Sequence, residues 1–237
     1  MYYELNCEGG IAELVLKSPP ANAFDPDGFR ALAAAFRGLE ERDDVKVLVL
    51  RGEGRGFCAG IDVKKMGGDP SSIPAMNRAF FDAVKALHVL RIPVIAAVHG
   101  YALGAGLALA GACDIIIGAE GAKFGLPEIN VGLLGGASHA LRVLPLTKVR
   151  QMYYTGEPIT SEEMYRLGAA EKVVPLEMLR DEAMALAARI AEKDGRGLRF
   201  AKEALNGIEP VDLEKNYRYE QGFTFEITYL KNIAPST

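Results

Sequence analysis

Cysteine is scarce in this chain and is not arranged for metal binding. Its three cysteines, Cys7, Cys58 and Cys113, are odd in number and form no Cys-x-x-Cys pair. Zinc sites and disulfide frameworks both need paired or closely spaced cysteines. We therefore expect no zinc site, and a reducing, cytoplasmic location.

Long apolar runs and an excess of positive charge are also absent. No run approaches the ~20 apolar residues needed to span a bilayer, and Glu4 and Glu8 interrupt any leader-like pattern at the start. The net charge of −4 disfavours nucleic acid and anionic membranes as partners. We expect neither of them to be bound.

What is present is a globular composition with alternating strand and helix patterns. The 237 residues are 49% hydrophobic and 24% charged, which is enough for one sizeable domain with a small helical appendage. Strands predicted at 2–7, 11–16, 45–50, 93–98 and 114–117 alternate with helices at 25–41, 75–90 and from 104, and a polar stretch covers 67–72. This alternation predicts an α/β core with parallel strands. Beyond about 175 the pattern is helical, at 177–193, 199–206 and 213–229. We divide the chain into a core, 1–175, and a helical C-terminal region, 176–237.

Two glycine-bearing turns carry the chemistry. Each follows an apolar strand pattern: Phe57–Asp62 after 45–50, and His99–Gly106 after 92–98. Glycine lets the backbone approach a ligand closely and leaves N–H groups free to point at it. Two such turns can direct two N–H groups at one oxygen, which forms an oxyanion hole that stabilises a thioester enolate. The alternative is that these glycines only make tight turns.

Four motifs in order resemble the crotonase, or enoyl-CoA hydratase/isomerase, superfamily over nearly the whole chain. The resemblance implies a spiral of ββα units, a helical trimerisation region, and homotrimers or hexamers. It also implies an acyl-CoA thioester substrate with no metal and no cofactor beyond that CoA. The motifs are Pro20-Ala21-Asn22-Ala23-Phe24, Gly56-Phe57-Cys58-Ala59-Gly60-Ile61-Asp62, Pro93-Val94-Ile95-Ala96-Ala97-Val98-His99-Gly100-Tyr101-Ala102 and Ala122-Lys123-Phe124-Gly125-Leu126-Pro127-Glu128.

The resemblance also implies which residues form the site. The backbone N–H groups of Ile61 and Ala105 would be the oxyanion donors. The substrate cleft would be lined by Asn22, Ala23, Phe24, Ala59, Gly60, Asp62, Val63, Gly104 and Gly136.

One of two family glutamates is missing. Hydratases of this family hold a water between two glutamates; the second is present as Glu128, but the first falls at Ala108. Position 108 is about one turn after Ala105 on the same helix, and losing a general acid–base group lowers a rate ~10²–10⁴-fold. An ordinary hydratase is therefore doubtful. We expect Glu128 to be a buried catalytic base; the alternative is a solvent-facing or salt-bridged carboxylate at a helix start.

His139 is unusual because many family members have glycine there. A histidine can bind substrate, relay protons or only pack. We include His139 among the candidate catalytic residues and retain packing as the alternative.

Three features resemble a narrower subgroup, the ring-opening crotonases of bacterial sterol degradation: Ala108, the Ala-Ser-His segment ending at His139, and the tail 217–226. This resemblance implies hydrolytic C–C (retro-Claisen) cleavage of a cyclic β-keto acyl-CoA, for which one carboxylate suffices to activate water. A double-bond isomerase, a slow enoyl-CoA hydratase and a non-catalytic acyl-CoA binding protein are the alternatives.

Overall fold

A computed structural model describes residues 1–63, 65 and 72–233, the last three by their backbone only. The polar stretch predicted at 67–72 lies outside these residues, apart from Ser72. The strands are β1 Tyr3–Glu8, β2 Ile11–Leu16, β3 Ala23–Phe24, β4 Val47–Gly52, β5 Gly60–Ile61, β6 Val94–Val98, β7 Tyr101–Leu103, β8 Ile115–Ala119, β9 Lys123–Gly125, β10 Ile159–Thr160 and β11 Lys172–Val174. The helices are α1 Pro26–Glu40, α2 Ile73–His88, α3 Ala105–Ala112, α4 Ala137–Val143, α5 Leu146–Thr155, α6 Ser161–Arg166, α7 Leu179–Ala191, α8 Gly195–Ile208 and α9 Leu213–Ile233, with 3₁₀ helices at Pro127–Val131 and Leu176–Met178.

A six-stranded sheet in the order β1-β2-β4-β6-β8-β11 forms the centre. The β1–β2 hairpin is antiparallel, and Gly9 and Gly10 at its turn both have positive φ. All other neighbouring pairs in this sheet are parallel. The predicted α/β core with parallel strands is thus confirmed.

A short strand and then a helix follow each of the main strands β2, β4 and β6. The chain runs β2-β3-α1, β4-β5-α2 and β6-β7-α3, and β8 is followed by β9 and the 3₁₀ helix Pro127–Val131. The short strands pair among themselves in two small sheets, β3-β5 and β10-β9-β7. This repetition is the expected spiral of ββα units, and it brings the segments after β5, β7 and β9 together.

Both faces of the main sheet are covered, which explains the uninterrupted apolar runs of its strands. On β4, Leu48 and Leu50 belong to the core shared with α1, α2 and α3. Val47 and Val49 point to the other face, where they join a second cluster with α7. The predicted boundary at 175 remains a prediction, and α7, which lies beyond it, covers one face of this sheet.

The sequence patterns found most of the long elements and missed the shortest strands and the helices α4, α5 and α6. Strands of two or three residues, such as β3, β5 and β11, are too short to show a hydrophobic period. The predicted helical C-terminal region is present as α7, α8 and α9. Within the part of the chain that the structure describes, no helix is long and apolar enough to cross a membrane.

Candidate active site

A cavity of about 320 Å³ lies where the spiral of ββα units meets α2 and α9. Its walls come from the turns before β5 and α3, from the segment after β9, and from one face each of α2 and α9. The lining residues that the structure describes are Ala59, Gly60, Ile61, Val63, Ile73, Met76, Asn77, Phe80, Gly104, Ala105, Pro127, Glu128, Asn130, Val131, Leu133, Leu134, Gly135, Gly136, Tyr217, Gln221 and Thr224.

The two glycine turns meet at one side of this cavity. Gly60 has φ of +96°, and a Cβ placed on it would lie 2.8 Å from the carbonyl oxygen of Leu103 and 3.2 Å from the backbone nitrogen of Ala105. Only glycine permits this close approach of the two backbones. Ala105 is the first residue of α3, so its N–H has no partner within the helix. The fold therefore brings the backbones of Ile61 and Ala105 side by side at the cavity wall.

Glu128 lies against the second turn. It sits in the first turn of the 3₁₀ helix after β9, where Pro127 starts the helix. A Cβ on Gly104, which has φ of +55°, would collide with the Glu128 carboxyl group. The glycine thus allows the carboxyl group to reach the start of α3, next to Ala105.

Burial sets the protonation of Glu128. Its Oε2 atom is buried and has no hydrogen-bond partner among the described residues. Removal from water disfavours the charged form, and this raises the pKa of Glu128 to about 8, with a smaller contribution from the nearby charge of Glu220. A carboxyl group with this pKa exchanges a proton near neutral pH, as a general base must.

Position 108 contributes no second carboxylate. The Ala108 side chain is fully buried in α3, and Ala108 is not among the residues that line the cavity. Glu128 is the single carboxylate among the described lining residues.

A second buried carboxyl group, Glu220, lies behind the wall on α9. Its Oε1 atom accepts hydrogen bonds from the Tyr153 hydroxyl at 2.6 Å and from the Ala137 backbone N–H at 3.0 Å. The Gly135 N–H donates to the Tyr153 oxygen at 3.2 Å. Burial raises the pKa of Glu220. These bonds hold α9 against the start of α4, so that α9 closes the cavity.

His139 does not reach the cavity. Its ring packs edge-on against Tyr217 at 5.6 Å between centroids and tilted against Phe80 at 6.2 Å, and its Nδ1 lies 3.3 Å from Ser138 Oγ. Burial lowers the pKa of His139 to about 3, so the ring is neutral. The structure does not bring this candidate catalytic residue together with Glu128; its contacts support packing behind the aromatic wall.

The predicted substrate-binding residues divide into two groups. Ala59, Gly60, Val63, Gly104 and Gly136 line the cavity together with Ile61, Ala105 and Glu128. Asn22, Ala23, Phe24 and Asp62 do not line it, and a CoA-binding role for them remains a prediction.

The contacts of three of these four residues are those of a structural role. Asn22 has a positive φ of 51°, and its side chain bonds to Ser18, Glu53 and Gly56. Phe24 is fully buried in the core. The Asp62 carboxylate accepts a bond from the Lys65 N–H at 3.3 Å.

Sequence reasoning missed the wall that α2 and α9 contribute. Asn77 and Phe80 come from α2, and Tyr217, Gln221 and Thr224 come from α9. Thr224 Oγ1 donates to the Leu134 carbonyl at 2.7 Å, which ties α9 to the loop before α4. The helical period of α9 was visible, but nothing in it showed which face would meet the cavity. Among the described residues, no group of three or more His, Cys, Asp or Glu side chains is placed to hold a metal ion.

A spiral of ββα units with two glycine turns converging beside a buried carboxyl group defines a crotonase fold. The family described as enoyl-CoA hydratase/isomerase matches residues 6–231, and the chain belongs to this family of enzymes within the crotonase superfamily.

Two named proteins and one solved structure are similar to this chain over most of its length. A protein of Rhodococcus jostii (strain RHA1) named (7aS)-7a-methyl-1,5-dioxo-2,3,5,6,7,7a-hexahydro-1H-indene-carboxyl-CoA hydrolase is 41% identical over 220 residues, 92% of this chain and 85% of that protein. A protein of Mycobacterium tuberculosis (strain ATCC 25618 / H37Rv) with the same name is 40% identical, over 93% of this chain and 90% of that one. The crystal structure of an enoyl-CoA hydratase of Mycobacterium smegmatis superposes with a TM-score of 0.85 at 30% identity, covering 95% of this chain and 90% of that one.

Proposed function

We propose that this enzyme hydrolyses a carbon–carbon bond in a cyclic β-keto acyl-CoA by a retro-Claisen reaction. One observation carries the proposal: the carboxyl group of Glu128 has a buried Oε2 atom without a hydrogen-bond partner, and Glu128 is the single carboxylate among the described residues of the cavity. Two relatives about 40% identical to this chain are named as hydrolases of a bicyclic dioxo acyl-CoA, which supports the same reaction class.

The reaction begins with water. Glu128 removes a proton from a water molecule while the oxygen of that water attacks the ring ketone carbon. A tetrahedral alkoxide forms. The alkoxide collapses, and the bond between the former ketone carbon and the α-carbon breaks. The ketone carbon becomes a carboxyl group, and the bonding electrons pass to the α-carbon as a thioester enolate.

The oxyanion hole stabilises that enolate. The backbone N–H groups of Ile61 and Ala105 would donate to the thioester oxygen, where the negative charge develops. The proton held by Glu128 then passes to the α-carbon, which restores the base. The net change is the addition of one water, and a single carboxyl group carries the proton in both steps.

The finer details of the assembly belong to the same proposal. We infer a homotrimer or hexamer, supported by exposed aromatic side chains on α9, namely Tyr219, Phe223 and Tyr229.

CoA binding and location are part of the same proposal. Asn22 to Phe24 and Asp62 would contact the CoA portion, and the enzyme would need no cofactor beyond the CoA of its substrate. A cytoplasmic location is supported by the three free cysteines.

Hydration of an enoyl-CoA is the second candidate. It is favoured by the fold shared with the hydratase of Mycobacterium smegmatis. With Ala108 in place of a second glutamate, we expect such a reaction to be slower by ~10²–10⁴-fold than two-carboxylate hydration. A double-bond isomerase would need a single proton carrier, and a non-catalytic acyl-CoA binding protein would need none.

Mass spectrometry of the products tests the proposal. The enzyme is given a cyclic β-keto acyl-CoA and, separately, a straight-chain 2-enoyl-CoA, and fragmentation locates the added water. We expect ring opening to a new carboxylate, lost in Glu128→Ala and retained in the control Glu120→Ala, which alters an exposed glutamate. Addition of water across the enoyl double bond at an ordinary hydratase rate would overturn the proposal, and binding without turnover of any thioester would favour the non-catalytic alternative.

A further inference from the structure

Two amide side chains in the cavity have buried polar atoms that the fold leaves unused. Nδ2 of Asn77, on α2, and Oε1 of Gln221, on α9, are both buried and lack a hydrogen-bond partner within the described part of the chain. Buried polar atoms of native proteins are nearly always hydrogen-bonded, so each exception needs an explanation. The proposed reaction accounts for the buried carboxyl group of Glu128 but assigns nothing to these amides.

The two amides belong to facing surfaces of two packed helices. Asn77 lies one turn before Phe80 on α2, and Gln221 lies one turn after Tyr217 on α9, so each amide shares a helix face with its aromatic neighbour. The rings of Phe80 and Tyr217 are in edge-on contact, with centroids 5.5 Å apart. Asn77 and Gln221 both line the cavity beside this contact.

The surroundings of the amides are largely apolar. Ile73, Met76, Val131, Leu133 and Leu134 form much of the remaining wall. A hydrocarbon acyl group would pack against these apolar side chains but would leave both amides without hydrogen-bond partners. A ketone or hydroxyl oxygen of the acyl group could accept a hydrogen bond from Asn77 Nδ2, and a hydroxyl group could donate one to Gln221 Oε1, since an amide nitrogen donates and an amide oxygen accepts.

We propose that Asn77 and Gln221 form a polar subsite for an oxygenated acyl group, in which Asn77 Nδ2 donates to a ketone or hydroxyl oxygen and Gln221 Oε1 accepts from a hydroxyl group. The enzyme would thereby select CoA thioesters of oxygenated rings over those of plain hydrocarbon rings. This inference rests on the proposed function and deepens it by naming residues that would select the oxygenated substrate. A site built to hydrogen-bond a substrate group discriminates strongly against the analogue that lacks it, because its own buried groups are then left unpaired.

Equilibrium binding separates this inference from the proposed reaction. The dissociation constants of 2-oxocyclohexanecarboxyl-CoA, 4-oxocyclohexanecarboxyl-CoA, 4-hydroxycyclohexanecarboxyl-CoA and cyclohexanecarboxyl-CoA are measured by calorimetry on the Glu128→Gln protein, in which turnover is suppressed. We expect at least one keto ligand, and the hydroxy ligand, to bind about tenfold or more tightly than the plain ring. The preferred position of the ketone would show where the subsite lies relative to the thioester.

Variants then assign the preference to the amides. In the same background, Asn77→Leu should reduce the preference for the keto ring, and Gln221→Met the preference for the hydroxy ring, by about threefold or more, with the affinity for the plain ring unchanged or increased. Met76→Leu, a neighbouring lining residue without polarity, is the matched control and should keep the preference. Equal binding of the keto and plain rings, or a preference unchanged in both amide variants, would overturn the inference. Failure of wild-type enzyme to open any ring, with the preference intact, would overturn only the proposed reaction.

Discussion

Two buried carboxyl groups in this chain have opposite environments. Glu13 lies on β2, where the Arg51 Nε donates to its Oε1 at 2.6 Å and Arg180 donates to both oxygens at 2.8 and 2.9 Å. Glu128 lies beside the cavity, and its Oε2 has no hydrogen-bond partner among the described residues. The bonds from Arg180 and Arg51 lower the pKa of Glu13, whereas burial raises the pKa of Glu128 to about 8.

The difference shows that burial alone does not determine the role of a carboxyl group. A buried carboxylate that is paired with arginine holds its charge and ties two elements together, here β2 and α7. A buried carboxyl group without such a partner gives up or takes a proton near neutral pH, at the expense of stability. The first arrangement suits a structural link, and the second suits a base.

The largest expected effect is on catalysis at Glu128. Replacing it with alanine removes the proposed base, and we expect kcat to fall ~10²–10⁴-fold while acyl-CoA binding persists. Steady-state kinetics on the substrate found by mass spectrometry, with calorimetry for binding, provide the measurement. Glu13→Gln is the matched control and should retain turnover; full activity in Glu128→Ala would contradict the assignment.

The second effect is on stability at alkaline pH. The pKa of Glu128 is raised from 4.5 to about 8 in the folded state. The folded protein therefore keeps a proton that the unfolded chain releases, and stability falls as pH rises from about 4.5 to about 8. We expect Glu128→Gln, which cannot titrate, to be more stable than wild type at pH 9 by roughly 3–5 kcal/mol and to differ little at pH 4.

Chemical denaturation of the two proteins at both pH values measures this difference. An equal stability difference at pH 4 and pH 9 would contradict the raised pKa of Glu128.

The third effect concerns the paired carboxylate and has the opposite sign. Because the pKa of Glu13 is lowered, its contribution is present above about pH 4.5 and is lost as pH falls below that value. We expect Glu13→Gln to reduce the free energy of unfolding at pH 7 by about 1–3 kcal/mol through weaker bonds to Arg51 and Arg180.

Urea denaturation compares this variant with Glu4→Gln, which alters an exposed glutamate on the neighbouring strand β1 and should cost much less. Equal losses in the two variants would show that the arginine bonds contribute no net stability.

The smallest expected effect is a shift of the pH profile. As the base must lose its proton, kcat/KM of the wild type should rise with pH and level off above about 8. Glu220 contributes to the raised pKa of Glu128 through its charge, so Glu220→Gln should move the rise to lower pH. Glu226→Gln alters an exposed glutamate on the same helix and is the control. An unchanged pH profile in Glu220→Gln would show that the charge of Glu220 does not raise the pKa of Glu128.

The part of the site formed by the two glycine turns and Glu128 could be predicted from the sequence. Gly60 and Gly104 have positive φ, and a side chain at either position would collide with Leu103 or Glu128. Glycine at these positions therefore indicates that another part of the chain lies close to the backbone. Glu128 lies three residues after the end of β9, in a motif that resembles one of the family. The short strands were not predicted, because two or three residues establish no period. The helices α4, α5 and α6 between 137 and 166 were not predicted either.

The sequence by itself determined the α/β class, the order of most long elements and the two glycine turns, since each depends on neighbours within a few residues. Glu128 became the candidate base through the family motif that contains it. The tertiary structure decided that His139 packs behind Phe80 and Tyr217, and that α9 supplies the remaining wall. The contacts that place α9 join Thr224 to Leu134, 90 residues apart, and Glu220 to Ala137, 83 residues apart. No local sequence pattern predicts such pairs, and the burial that raises the pKa of Glu128 arises from the packing of segments that are distant in sequence.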